Sequence, residues 1–206
     1  MQVEAVIFDI GNVLIEWQPE RYYDRVIGPE RRQRLFAEVG LFTMMDRIDA
    51  GAPFGETVED VALAHPEWTP QIRLWRDNWN DLARPVIDHS VRLMRALRAR
   101  GMPVFALSNF GAENFPLSAA QFPFLTEFDR HYISGEIGMI KPDPAIYAHV
   151  EADCGFAPEM LLFVDDRIDN INAARARGWQ AHLFDGAEGW AQTLVSAGLL
   201  TKEDAK

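Results

Sequence analysis

The stretch Val6-Ile7-Phe8-Asp9-Ile10-Gly11-Asn12-Val13-Leu14 decides how the rest of the chain is read. An apolar run ends at a carboxylate, and glycine and asparagine follow almost at once. That order describes a buried strand, from about Val3 to Phe8, which delivers Asp9 to a tight backbone turn. Asp9 is thereby the leading candidate for a nucleophile.

Downstream, a short extended piece from Val13 to Trp17 gives way to charged, aromatic-rich sequence broken by proline and glycine. Helices are expected at Pro19–Ile27, Pro29–Val39, Glu56–Ala64 and Pro70–Leu82, three of them with proline at a first-turn position. Pro85 to Arg100 reads as an amphipathic helix stopped by Gly101. Short apolar runs at Pro103–Leu107, His131–Ile133, Leu161–Val164 and Gln180–Phe184 then alternate with helical patterns near Ala112–Gln121, Pro144–Cys154, Ile168–Arg177 and Glu188–Ala197. Alternation of this kind specifies a doubly wound parallel sheet, an α/β Rossmann-like fold, because each parallel crossover needs a long connection. The expected division is a core of residues 1–15 and 85–206 with a helical insert at 16–84.

Composition narrows the function. Thirty-one acidic residues against twenty basic ones give a formal charge of −11, which repels nucleic acid and anionic membranes unless the cations are gathered locally. The N-terminus lacks a signal-like segment, and no run of about 18 apolar residues occurs, so a cytoplasmic protein is expected. Any anionic substrate therefore needs a local basic site, and the chain is expected to be a monomer or homodimer. Cys154 is the only cysteine, which excludes an internal disulfide, and its apolar segment predicts a small buried residue rather than a reactive thiol.

In open parallel sheets, ligands sit outside the carboxyl ends of the strands. The residues there are Asp9, then Ser108-Asn109, the loop from Gly135 to Lys141-Pro142, and Asp165-Asp166 with Asn170 four residues on. FDIGNVL, LSN, GMIKPDPAIY and VDDRIDN, in this order and with a helical insert after the first, resemble the four motifs of the haloacid dehalogenase superfamily. They look most like its small bacterial sugar-phosphatase branch, which includes glucose-1-phosphatase, and like the phosphatase domain of soluble epoxide hydrolases. The resemblance implies a magnesium-dependent phosphatase acting on a small phosphorylated substrate. Asp9 would attack phosphorus to form an aspartyl-phosphate, splitting one difficult hydrolysis into two displacements. Mg2+ would be held by Asp9, the Gly11 carbonyl and Asp166, with Asp165 and Asn170 in support. Ser108 matches the hydroxyl that contacts the transferring phosphoryl group, Asn109 and Asn12 would add contacts, and Lys141 matches the cation that balances nucleophile and phosphate.

One position departs from that pattern. Most phosphatases of the superfamily carry a second aspartate two residues after the nucleophile, as general acid and then base, and this chain has Gly11 there. The proton-transfer contribution, about 10²–10⁴ in rate, then has no obvious owner, since Asn12 does not titrate. Either the leaving group is a good one, in which case activity should rise with leaving-group acidity, or another group supplies the proton, with His65, Asp46 and Glu16 as candidates, or the chain is a weak, binding-only relative. A metal-independent 2-haloacid dehalogenase is the rival enzyme, because halide leaves without a proton. Against it, Asp165-Asp166 with Asn170 looks like a metal corner, and Asn12-Val13 is not the dehalogenase-like sequence. A phosphoacceptor receiver, with a similar residue set, would carry its acidic pair before the nucleophile rather than late in the chain.

The insert, by this resemblance a cap, would close the site over a small molecule. Trp17, Arg47, Met44, Met45, Trp75 and Trp79 are its candidate contacts, with Trp79 as a sugar-stacking face, although methionines and tryptophans at these spacings also suit a core. Arg47 reads as lying in a loop, Met45 to Gly51, where it grips an anion or pairs with Asp46 or Asp49. Arg167 faces either substrate or solvent.

Overall fold

The structure is a computed structural model that describes residues 2–206. Its strands are β1 (Ala5–Phe8), β2 (Ile15–Trp17), β3 (Ala83–Val86), β4 (Val104–Ser108), β5 (Arg130–Ile133), β6 (Leu161–Asp165) and β7 (Gln180–Leu183). Its α-helices are α1 (Pro19–Ile27), α2 (Pro29–Val39), α3 (Leu41–Asp49), α4 (Phe54–Ala64), α5 (Thr69–Asp77), α6 (Asp88–Ala99), α7 (Asn114–Gln121), α8 (Ser134–Ile137), α9 (Pro144–Cys154), α10 (Ile168–Ala176) and α11 (Ala187–Ser196). Five strands form a parallel sheet in the order β5-β4-β1-β6-β7, so the chain winds outward in both directions from β1.

The two faces of that sheet explain the near-continuous apolar runs. Val6, Phe8, Val104, Ala106, Leu162 and Val164 share one cluster with Val91, Met94 and Leu97 of α6 and Trp190 and Leu194 of α11. The alternate residues Ala5, Ile7, Phe105, Leu107, Leu161 and Phe163 share the other with Ile146, Tyr147 and Val150 of α9 and Ile171 and Ala174 of α10. Side chains alternate along a strand, so a sheet covered on both faces leaves no position for a polar residue until the strand ends. In the three central strands, β4, β1 and β6, the first polar side chains therefore appear at one rim, at Asp9, Ser108 and Asp165.

Helices α1 to α5 lie between β2 and β3 and enclose a third cluster built on Tyr23, Leu35, Leu41, Met44, Ile48, Trp68, Ile72 and Trp75. The short antiparallel pair β2-β3 joins this insert to the sheet domain. Four sequence expectations change here. The expected loop from Met45 to Gly51 is helical as far as Asp49, as the end of α3, because Leu41, Met44, Met45 and Ile48 follow helical spacing and are buried. The segment after Leu82 starts as β3, and helix α6 begins only at Asp88, because Ile87 N–H donates to Leu14 O at 2.8 Å and keeps Val86 paired with Ile15. The helix expected to reach Leu82 stops at Asp77, and a 3₁₀ turn, Trp79–Asp81, follows. Cys154 is half-buried beside the α9 cluster rather than fully enclosed.

Candidate active site

Asp9 leaves β1 with its backbone still in the sheet, its N–H donating to Val164 O at 2.9 Å. The carboxylate is buried, and three donors converge on Oδ1: Ile10 N–H at 2.7 Å, Ser108 Oγ at 2.8 Å and Lys141 Nζ at 3.0 Å. None of those donors reaches Oδ2. One oxygen is thus fixed by the protein while the other is left for chemistry, and carboxylate rotation is restrained. Burial pushes the Asp9 pKa up to about 7; Lys141 pulls it down, and Asp165 and Asp166 push it up again.

Lys141 is almost wholly enclosed, with 1% of its side chain exposed. Its ammonium donates to Asp165 Oδ2 at 2.6 Å and Leu107 O at 2.9 Å as well as to Asp9, and lies 5.4 Å from the centre of the Phe163 ring. Burial favours the neutral amine, but Asp165 and Asp9 outweigh it and hold the lysine pKa above its ordinary value. The charge is therefore permanent near neutral pH.

Asn109, expected to add a backbone or side-chain contact to substrate, holds Lys141 with its amide. Its Oδ1 accepts from Lys141 N–H at 2.8 Å and its Nδ2 donates to Lys141 O at 2.9 Å, so both ends clamp the lysine backbone. Asp165 is similarly committed. It is fully buried, Oδ1 accepting from Arg167 N–H at 2.8 Å and Asn170 Nδ2 at 2.9 Å, and Oδ2 from Lys141. Asn170, expected as metal support, turns its amide nitrogen to Asp165, and its buried Oδ1 has no hydrogen-bond partner. The amide is thus an anchor for Asp165.

Asp166 is half-buried and keeps more freedom. Its Oδ2 accepts from Asn12 Nδ2 at 2.9 Å, and burial, aided by Asp165, raises its pKa despite that hydrogen bond. Asn12 has φ of 55°, in the left-handed region that asparagine enters more readily than most residues. From there its Oδ1 also accepts from Trp17 N–H at 2.9 Å, so the residue expected at the substrate links Asp166 to β2. At Gly11 the backbone is bridged to Ile15.

Asp9, Asp165 and Asp166 each place an oxygen within 4.8 Å of the others. Against the single buried ammonium of Lys141, three carboxylates leave two negative charges in a site largely shielded from water. An all-oxygen donor set with that deficit fits a hard divalent cation such as magnesium, which Asp9 and Asp166 would hold, with the Gly11 carbonyl as the further expected ligand. Such a charge would lower the carboxylate pKa values that burial has raised.

The insert residues divide differently from expectation. Met44, Met45, Trp75 and Trp79 are buried in its core; Trp75 Nε1 contacts Met45 Sδ at 3.0 Å, and Trp79 Nε1 donates to Ser118 Oγ of α7 at 2.8 Å. Trp79 is thus a tie between insert and sheet domain, with no face free to stack on a sugar. Trp17 is half-buried, its ring 5.0 Å from Trp79 and 5.9 Å from Trp75. Arg47 is exposed on α3 and, among the described residues, forms no ion pair with Asp46 or Asp49. Arg167 pairs with Asp169 at 2.7 Å, Glu16 with Arg21 at 2.8 Å, and His65 lies 4.0 Å from Glu67. Asp46 is exposed.

The residue that sequence reasoning missed is Asp49, the last residue of α3. Its carbonyl accepts from Ser134 Oγ, at the end of β5, at 2.6 Å, and its carboxylate is within the electrostatic reach of Asp9 and Lys141. Its only sequence signal is an acidic residue two positions before a glycine, with Asp46 one helical turn earlier.

A parallel α/β sheet with this rim of carboxylates and one buried lysine is the frame of a hydrolase. A model of the haloacid dehalogenase-like hydrolases matches residues 3–178, and the chain belongs to that family. The sesquiterpene phosphatase astK of Aspergillus oryzae is 33% identical over 184 residues, 88% of this chain and 90% of that protein. The D-ribitol-5-phosphate phosphatase of Bacteroides thetaiotaomicron is 23% identical, covering 94% and 97%. The drimenol cyclase drtB of Aspergillus calidoustus is 36% identical over 81 residues, but the match spans only 39% of this chain and 15% of that longer protein. Among solved structures, a haloacid dehalogenase family enzyme of B. thetaiotaomicron in complex with magnesium and inorganic phosphate superposes with a TM-score of 0.71 at 22% identity, covering 93% of this chain and 99% of that one. L-2-haloacid dehalogenase of Xanthobacter autotrophicus gives 0.62 at 20%, covering 97% and 85%, a likeness of fold alone. No helix among the described residues is long and apolar enough to cross a membrane.

Proposed function

We propose that this chain is a magnesium-dependent phosphatase that hydrolyses a small phosphomonoester, with sugar phosphates as the first substrate class, through an aspartyl-phosphate on Asp9. The observation that carries this reading is the asymmetry of Asp9. Ile10, Ser108 and Lys141 fix Oδ1, so Oδ2 can attack in one orientation beside an acidic cluster that lacks a divalent cation's worth of positive charge. Bound magnesium would screen a phosphate dianion from the carboxylates it must approach. Lys141 holds a fixed positive charge on the nucleophile, and Ser108 sits where its hydroxyl can turn from Asp9 to a phosphoryl oxygen. Helices α1 to α5 act as a cap over this rim, which limits the substrate to small molecules.

The dehalogenase alternative gains little from the site. A displacement of halide needs no divalent cation, and three clustered carboxylates would then be an uncompensated cost. A second substrate class has a specific observation behind it. Trp17, packed on Trp75 and Trp79, offers an apolar wall suited to a hydrocarbon alcohol, and astK is named as a sesquiterpene phosphatase. The test is a panel of sugar phosphates, prenyl monophosphates and 2-haloacids, following phosphate and halide release with and without magnesium. Magnesium-dependent phosphate release that disappears in Asp9→Asn supports the proposal. Phosphate turnover that persists in chelator or in Asp9→Asn would sink it, and metal-free chloride release would support the dehalogenase.

A further inference from the structure

We propose that Asp49, reaching the site from the C-terminal end of α3, is the general acid and base that Gly11 cannot be. This rests on the phosphatase reading above and assigns a residue to its missing step. The segment carrying Asp49 is pressed onto the rim at three points. Ser134 Oγ donates to the Asp49 carbonyl at 2.6 Å. A methyl group on Gly111, after β4, would lie 2.5 Å from Ile48 Cγ2, and one on Gly51 would lie 3.2 Å from Gly135 O, after β5. Hydrogen bonds from Ala50 N–H to Asp46 O, Gly51 N–H to Ile48 O and Ala52 N–H to Arg47 O fix the turn that ends the helix. Asp49 is therefore held by backbone against the segments that follow β4 and β5, the first beginning three residues after Ser108 and the second leading on to Lys141.

Its carboxyl group is the unusual one. Oδ1 is buried with no hydrogen-bond partner, whereas Asp24, Glu38 and Glu59 of the insert are each paired with arginine at the surface. A shielded, unpartnered oxygen is costly unless a ligand atom completes it. The other carboxylates nearby have work already: Asp9 holds Ser108 and Lys141, Asp165 holds Lys141 and Asn170, and Asp166 holds Asn12. Burial, then Asp46 and Asp9, push Asp49 up to about 7 against the opposing pull of Lys141, so a proton is available to give near neutrality.

The chemistry balances. Asp9 Oδ2 forms a bond to phosphorus as the bond from phosphorus to the leaving oxygen breaks; that oxygen takes the electron pair and the Asp49 proton, and the alcohol departs. Water then attacks phosphorus while Asp49 carboxylate takes one of its protons. The phosphorus–Asp9 bond breaks, its electron pair returns to the Asp9 carboxylate, and phosphate leaves with Asp49 protonated again.

The test compares kcat/KM on an alkyl phosphate and on 2,4-dinitrophenyl phosphate, whose leaving group needs no proton, for the wild type and Asp49→Asn. The ratio of the two substrates in one preparation does not depend on how much of the variant is folded. Wild type should show a shallow dependence on leaving-group acidity; Asp49→Asn should lose about 10²–10⁴-fold on the alkyl ester and far less on the aryl ester. A Cβ atom at Gly11 would meet nothing nearer than Trp17 Cβ at 3.8 Å, so the position accepts a branch from the backbone, and Gly11→Asp in the Asp49→Asn background should restore alkyl turnover. An unchanged substrate ratio in Asp49→Asn overturns the assignment while leaving the phosphatase intact. A wild type that releases no phosphate even from the dinitrophenyl ester overturns both.

Discussion

Replacing Lys141 by methionine isolates the electrostatics on which the site depends. Methionine is of similar length and removes the ammonium with little loss of apolar packing. The change strips Asp9 of a 3.0 Å partner and Asp165 of a 2.6 Å partner, and leaves the Leu107 carbonyl without its donor. Breaking a buried ion pair by removing one member costs about 3–5 kcal/mol, because an uncompensated charge stays inside. The lower end applies here. Asp165 keeps Arg167 N–H and Asn170, and Asp9 keeps Ile10 N–H and Ser108. About 3 kcal/mol is still a large part of an ordinary domain stability of about 5–15 kcal/mol. The penalty must also depend on pH. Without Lys141 the Asp9 pKa rises beyond the value near 7 that burial and its acidic neighbours already give it, so the variant sheds its excess charge by binding protons. Urea denaturation in chelator should therefore find a large deficit at pH 8 that shrinks by pH 5. Equal stability of variant and wild type at pH 8, or a deficit that does not change with pH, would refute the reasoning.

Metal-free wild type should itself lose stability as pH climbs. Asp9 and Asp49 are both raised to about 7 and Asp166 is raised, so the folded state binds more protons than the unfolded chain, and the stabilisation present below about pH 4 is lost as pH passes the folded values. Denaturation midpoints across pH 4–8 check this, and magnesium at a hundred times its Kd should add about 2.7 kcal/mol at pH 8. Gly135→Ala should destabilise by about 1–3 kcal/mol or prevent folding, because the new methyl would meet Ala112 N at 2.5 Å and Phe110 O at 2.9 Å, both backbone atoms; thermal unfolding reads it. Asn109→Ala removes both bonds that clamp the Lys141 backbone, and a misplacement of that ammonium should lower kcat by up to about 100-fold in steady-state assays, with substrate affinity changed less.

Much of the fold could be read from the sequence for reasons visible in individual elements. Pro19–Ile27, Pro29–Val39 and Pro144–Cys154 have the expected bounds because proline opens each and glycine follows each. The rim residues were legible because the central strands of a doubly covered sheet carry no polar side chain before they end. Helix α3 was misread although Leu41, Met44, Met45 and Ile48 carry the helical period; Gly40, at φ 70°, gives no capping side chain and Gly51 suggests a loop. Strand β3 was hidden by Pro85 and by half its residues being exposed. The hydrogen-bond partners within the site were beyond sequence, since nothing in the spacing shows that Asn109 and Asp165 hold Lys141 or that Asn12 holds Asp166. Asp49 reaches the rim only through tertiary contacts of the α3 turn with the loops after β4 and β5.

The central claim is that Asp9 takes the phosphoryl group. Rapid acid quench during turnover, followed by mass spectrometry of the peptide containing residues 6–14, tests it directly. A phosphoryl adduct on Asp9 that forms only with magnesium and is absent in Asp9→Asn is the predicted result. An unmodified Asp9 peptide during steady phosphate release, or an adduct on any other residue, would contradict it.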